Sequence, residues 1–186
     1  MTAFLDDELL ADFERALTSA GSAITRVWAP GLSDAKIDQL TAPHKFSLPE
    51  EARRWWRWHN GFVAGTRPPF WELTPRRTLM DLPTTLESFA TSRAALLQLE
   101  GVDQWLRPLA DLPRIFFACD GPLDEPVSIH TQQDIDDPIL ALPSIGELVK
   151  TWIELVDIGV FTADADGRWE SDFDKIPEEI RQLGIY

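Results

Sequence analysis

Residues 47–62, SLPEEARRWWRWHNGF, carry the local signals of one short helix with a marked start and a marked stop. Pro49 suits the first helical turn, where a missing N–H costs nothing. Ser47 and Glu50 have capping-box spacing, and Leu48 as N-cap with Pro49 at N1 is the other possible start. Asn60-Gly61 stops the helix, because both residues tolerate the left-handed conformation of a C-cap. At about 100° per residue, Leu48, Ala52, Trp55, Trp56 and His59 share one side. Glu50, Arg53, Arg54 and Arg57 share the other, at spacings that support ion pairs on a solvated face. Trp58 breaks the pattern on the polar flank, beside Glu51 and Arg54. Two roles suit it: packing beneath a neighbouring loop, or an exposed aromatic anchor for a partner.

Upstream, Leu9, Leu10, Phe13 and Leu17 give residues 4–20 a helical period that Gly21 ends. A break at Val27–Gly31 follows, and Ser33 can cap a short helix bearing Ile37 and Leu40. Residues 41–46, with Pro43, connect to the Trp-rich helix.

Downstream the character changes. Phe70–Leu73 and Thr78–Leu82 are candidate strands around a turn at Thr74–Arg77, and Thr84 with Glu87 marks the start of another helix. Ile115–Cys119 is an apolar run of strand length, followed by a turn at Asp120–Pro122 and by the alternating Val127–His130. An acidic connector, Thr131–Asp137, leads to the strand-like Pro138–Leu142. Ser144 and Glu147 then open a helix that buries Leu148, Trp152, Leu155 and Val156. The tail holds a turn at Asp164–Gly167 and a last short helix from Pro177. Helices at both ends and strands in the middle predict an α+β domain with a mainly antiparallel sheet, one domain over residues 1–186.

The chain carries a net charge of −14, very unevenly spread. From residue 100 onward there are 19 Asp and Glu against 6 Lys and Arg, whereas residues 1–99 are nearly balanced. That opposes nucleic-acid binding, which needs cationic side chains to displace counterions from phosphates. It suits solubility, and it suits a basic protein partner steered in over a distance. The first residues, MTAFLDDELL, are acidic and amphipathic, unlike a signal or transit peptide, and no apolar run has membrane-spanning length. The single cysteine, Cys119, excludes an internal disulfide and fits a reducing cytoplasm.

The order of these signals resembles the SUKH superfamily of cell-wall-assembly-regulator-like domains. Three segments carry the resemblance: Pro30-Gly31-Leu32-Ser33 with Ile37 and Leu40; Leu48-Pro49-Glu50-Glu51 running to His59-Asn60-Gly61; and Leu142-Pro143-Ser144 before a helix with Leu148 and Trp152. They cover about residues 24–160. Where that family often has a glycine-rich central turn, this chain has Asp120–Pro126, and the extension beyond Phe161 has no counterpart. The resemblance implies a non-enzymatic, partner-binding α+β domain. Many bacterial members are immunity proteins that neutralise toxins, often nucleases, by binding them; others are regulatory interaction modules.

Side-chain chemistry points the same way. His59, at the helix end, is placed to bond a backbone group, and Cys119 in Phe-Phe-Ala-Cys reads as a small buried hydrophobe more readily than as a thiol paired with His130. There is no Cys-x-x-Cys, no His-Glu-x-x-His and no phosphate-binding glycine motif, and Asp164-Ala165-Asp166-Gly167 lacks the glutamate that closes a calcium loop. We therefore expect no enzyme, cofactor or metal. The expected partner is a protein, a basic toxin domain first and an intracellular regulatory or scaffold partner as the alternative. The expected binding residues are Asp120, Asp124, Glu125, Asp134, Asp136 and Asp137 on two acidic connectors at one edge of the sheet, with Trp58 and Trp71 as a second patch.

Overall fold

The computed structural model describes residues 2–45, 47–63, 65, 72–96, 104–110, 114–132 and 137–186, with residues 91–96 as backbone only. The first half runs α1 (Asp7–Ser19), β1 (Trp28–Pro30), α2 (Asp34–Thr41), α3 (Glu50–Trp58), β2 (His59–Phe62), β3 (Glu72–Thr74), β4 (Arg77–Leu79) and α4 (Leu82–Leu96). The second half runs β5 (Trp105–Leu106), β6 (Leu109–Ala110), β7 (Arg114–Ala118), β8 (Ile129–Gln132), β9 (Ile139–Leu142), α5 (Ile145–Asp157), β10 (Phe161–Ala163), β11 (Trp169–Ser171) and α6 (Glu178–Arg181).

The fold is α+β, as the sequence predicts. A four-stranded antiparallel sheet, in the order β5-β7-β8-β9, is joined by a three-stranded sheet, β3-β4-β6, and by the hairpin-like pairs β1-β2 and β10-β11. In β7 the alternation is strict. Ile115 and Phe117 belong to the main hydrophobic core, while Phe116 pairs with His130 on the opposite face. Helices α1, α3 and α5 pack on the core face, where Trp55, Trp56, Trp152, Phe13 and Phe117 are wholly buried. One apolar cluster gathers residues from Leu5 to Ile185, so the tail beyond Phe161 is part of the core: Trp152 Nε1 donates to the Ile185 carbonyl at 3.0 Å.

Several boundaries differ from the sequence expectation. Helix α3 is capped by Pro49 itself; neither Ser47 nor Leu48 does so, and no side chain caps it. Its first N–H, from Glu50, donates to the Leu123 carbonyl at 2.8 Å, so a distant loop supplies the cap. The helix ends at Trp58, because His59 turns extended and pairs with Pro30 in β1, the segment read as a break. Gly31 lies beside this junction, and a Cβ there would fall 1.7 Å from the Arg57 carbonyl oxygen. Only glycine fits.

Helix α1 starts later than residue 4, with an extended Asp6 as its N-cap. Helix α4 starts at Leu82, where Asp81 accepts the Thr84 N–H at 2.7 Å and Asn60 accepts the Leu82 N–H at 2.8 Å; Thr84 is not the cap. The Ser144 cap of α5 is as expected, but Glu147 turns outward to accept the Ala3 N–H at 2.6 Å. The Asp164–Gly167 turn is the β10-β11 hairpin, whose Asp164 carboxylate accepts the N–H groups of Asp166 and Arg168.

Candidate functional site

Helix α3 sets the position of everything near the candidate surfaces. Its Glu51 side chain is fully buried and is the junction of three distant segments. One carboxylate oxygen accepts the N–H of Leu5 at 2.9 Å and of Gly146 at 2.8 Å; the other accepts the N–H of Val127 at 2.7 Å. Burial pushes its pKa above the usual carboxyl value, against the lowering effect of the N–H donors. The carboxyl thereby ties the N-terminal segment, the end of the β7-β8 loop and the start of α5 to one point.

The β7-β8 loop is the first expected binding surface. Asp120, Asp124 and Glu125 are all exposed on it, with Leu123 between them 54% exposed. The loop is pinned along its length. Trp105 Nε1 donates to Asp120 at 3.2 Å, the Leu123 carbonyl caps α3, Glu125 N–H closes a turn on the Pro122 carbonyl, and Val127 N–H is held by Glu51. Its carboxylates and its apolar tip are thus presented on a backbone with little freedom left to lose.

Of the second acidic connector, Asp137 does not join this patch. Asp137 is exposed but follows β8, whereas Asp120–Glu125 precede it, so Asp137 lies at the opposite end of that strand from the loop. For Asp137 the expected shared edge is not met, because successive connections in an antiparallel sheet alternate between its ends. Asp134 and Asp136 lie outside the described residues, as does Trp71. Asp137 lines a shallow groove of about 230 Å³ with Thr131, Ile139 and the 181–184 segment.

Trp58 sits at the far end of α3 from the acidic loop. It is half-buried, packed on Phe13, Trp28 and Trp55 with ring centroids 4.8–5.9 Å apart, and its Nε1 donates to Glu14 at 2.5 Å. The remaining exposed part faces a cleft of about 330 Å³ between α1 and α3, lined also by Leu10, Arg54 and Arg57. The arginines of this helix are engaged within the fold. Arg53 pairs with Asp34 and Asp38, Arg57 with Asp34 and Glu50, and Arg54 with Glu50 and the Leu5 carbonyl. The hydrogen bond from Arg53 leads the effects that hold the Asp34 carboxyl below its usual value. His59 packs against Trp28 with ring centroids 4.2 Å apart, and its Nδ1 is 3.1 Å from the Ala29 carbonyl, a backbone partner as expected.

Cys119 and His130 are on opposite faces of the sheet. Cys119 is in the core, its thiol pKa raised by burial and by the charges of Asp120 and Glu51. His130 packs against Trp105 with ring centroids 4.0 Å apart and has Nε2 3.2 Å from Ser128 Oγ, with its pKa lowered by burial. Among the described residues no cluster of His, Cys, Asp or Glu is arranged to hold a metal ion, and no helix is long and apolar enough to cross a membrane.

Three features escaped the sequence reading. Glu51 falls on the polar flank of the helical wheel, although Trp55 four residues on is a signal that it faces inward. Leu123 is a lone apolar residue among acids, which single-residue hydropathy does not flag. Ile139 and Leu140 are 58% and 63% exposed, which the strand-like run Pro138–Leu142 does not signal. Comparison with protein-family models and with curated proteins finds no match.

Proposed function

We propose that this chain is a non-enzymatic, SUKH-like protein-binding domain, an immunity protein that neutralises a basic bacterial toxin by equimolar binding. The observation that carries this reading is the pinned loop between β7 and β8. It offers an exposed leucine ringed by Asp120, Asp124 and Glu125 on a backbone already held by Glu50, Glu51 and Trp105. An apolar anchor within a charged rim is how tight interfaces divide their work, the anchor slowing dissociation and the charges speeding encounter. Preorganisation adds to affinity because little conformational entropy remains to be lost on binding. A net charge of −14 concentrated in the C-terminal half selects a cationic partner, and a nuclease surface shaped for phosphates is one.

The test is co-expression with the product of the neighbouring gene, expected under this reading to be a toxin. The proposal expects restored growth and an equimolar complex by size-exclusion chromatography, both lost in a variant carrying Leu123→Asp with Asp124→Lys and Glu125→Lys. Undiminished toxicity in the presence of the folded wild-type protein overturns it.

A further inference from the structure

Strand β9 closes one side of the four-stranded sheet, and among the described residues no strand pairs with its outer edge. Successive residues of a strand point to opposite faces. Ile139 stands across from Thr131 and Leu140 across from His130, and both apolar side chains are more than half exposed. Both faces are therefore open at this edge. The groove beneath Ile139 is bounded by residues 181–184, and Arg181 there is already engaged with Glu178 and with the Phe173 and Ile176 carbonyls. The ends of the strand carry the charge. Asp137 precedes it, and Leu142 at its other end pairs with Ile129, just beyond the acidic loop. Pro138 and Pro143 bracket the strand, limiting a ladder to the four residues between them.

We propose that this edge takes an extended strand from a cationic protein partner, adding a fifth strand to the sheet beside β9. The inference rests on the toxin-binding reading and names the form the partner contributes: a segment alternating apolar residues with Lys or Arg. Main-chain hydrogen bonds supply affinity, Ile139 and Leu140 receive the apolar side chains, and Asp137 with the acidic loop receives the charges at the two ends. A second copy of this chain is the poorer occupant, because pairing two bodies of net charge −14 sets like charge against like.

The probe is a short fluorescein-labelled peptide alternating lysine with valine, followed by anisotropy and by amide hydrogen exchange. Three further reagents complete the experiment: the same peptide N-methylated on its main chain, a glutamate–valine counterpart, and the full-length variants Leu140→Arg and Ile139→Arg. We expect the lysine peptide to bind, to weaken with salt, and to slow exchange in residues 139–142. Each arginine variant should weaken it about tenfold or more, and the N-methylated and acidic peptides should not bind. Failure of the lysine peptide to bind, equal binding by either control, protection elsewhere in the chain, or a dimer that Leu140→Arg dissolves each overturns the proposal. If the peptide fails while the toxin is still neutralised, strand addition falls and the immunity reading stands. If the peptide binds as described while the toxin is not neutralised, the reverse holds.

Discussion

Glu51 on α3 and Gly146 on α5 meet through one hydrogen bond, the glycine N–H donating to the carboxylate at 2.8 Å across 95 positions of chain. The glycine is required there for a second reason, since a Cβ would lie 2.7 Å from the Ala3 carbonyl oxygen. The N-terminal segment, α3 and α5 are thus held at contact distance by an acid with no solvent access.

Replacing Glu51 with Gln puts an amide N–H₂ among main-chain donors and leaves a buried N–H unsatisfied. The cost is about 2–4 kcal/mol, read as a lower urea midpoint. The pH dependence has a defined sign. The folded-state pKa is raised, so the contribution of Glu51 is fully present below the usual value of 4.5 and is lost as pH rises through the raised value. The stability difference between wild type and Glu51→Gln should therefore shrink as pH rises from below 4.5 to neutrality. A difference that grows over that range would reverse the assignment.

Gly31→Ala drives a methyl group into the last carbonyls of α3 and should cost about 3 kcal/mol or more, or prevent folding. Gly121→Ala, on the acidic loop with open space around its Cβ, should leave the denaturation midpoint within about 0.5 kcal/mol of wild type.

Charge reversal at Asp124 and Glu125 should slow association with a cationic partner and flatten its dependence on ionic strength, with little change in dissociation. Leu123→Ala should do the opposite, leaving the association rate intact and speeding release. Stopped-flow kinetics at two salt concentrations separate the two effects.

Trp58→Phe keeps the ring packing but loses the hydrogen bond to Glu14, for a cost of about 1–2 kcal/mol. Trp58→Ala also opens the contact with Phe13, Trp28 and Trp55, at about 3–5 kcal/mol. A Trp58→Phe variant that binds the partner as wild type does would assign this residue to packing between α1 and α3.

Cys119 should resist alkylation by iodoacetamide at about pH 8, because burial keeps it a thiol and the nearby Asp120 and Glu51 charges disfavour the thiolate. Its labelling rate should follow global unfolding as urea is added. Rapid labelling of the native protein would contradict its place in the core.

The α+β class, α5 with its Ser144 cap, and the pairing of the run at Ile115–Cys119 with the strand after it were legible because period and capping chemistry are local, although that second strand runs Ile129–Gln132 and not Val127–His130. Glu51 was not, because a helical wheel assumes one buried arc. Here α1, α5 and the β7-β8 loop pack around α3 so widely that the flank holding Glu51 and Trp58 also turns inward. The exposure of Ile139 and Leu140 depends on which strand lies outermost, and strand order is a property of pairing rather than of composition. Short pieces such as β5 and β6 exist only through their partners Phe117 and Leu79. The acidic loop was located from sequence alone, but its rigidity comes from contacts with Glu50, Glu51 and Trp105.

The donors that satisfy Glu51 come from positions 5, 127 and 146, and that spread orders events during synthesis. While a nascent chain still ends short of residue 127, only one of those donors has left the ribosome, and α3 exposes its tryptophans around an acid it cannot yet bury. Full satisfaction of that acid must wait for the C-terminal third, so the last closure around α3 depends on contacts distant in sequence.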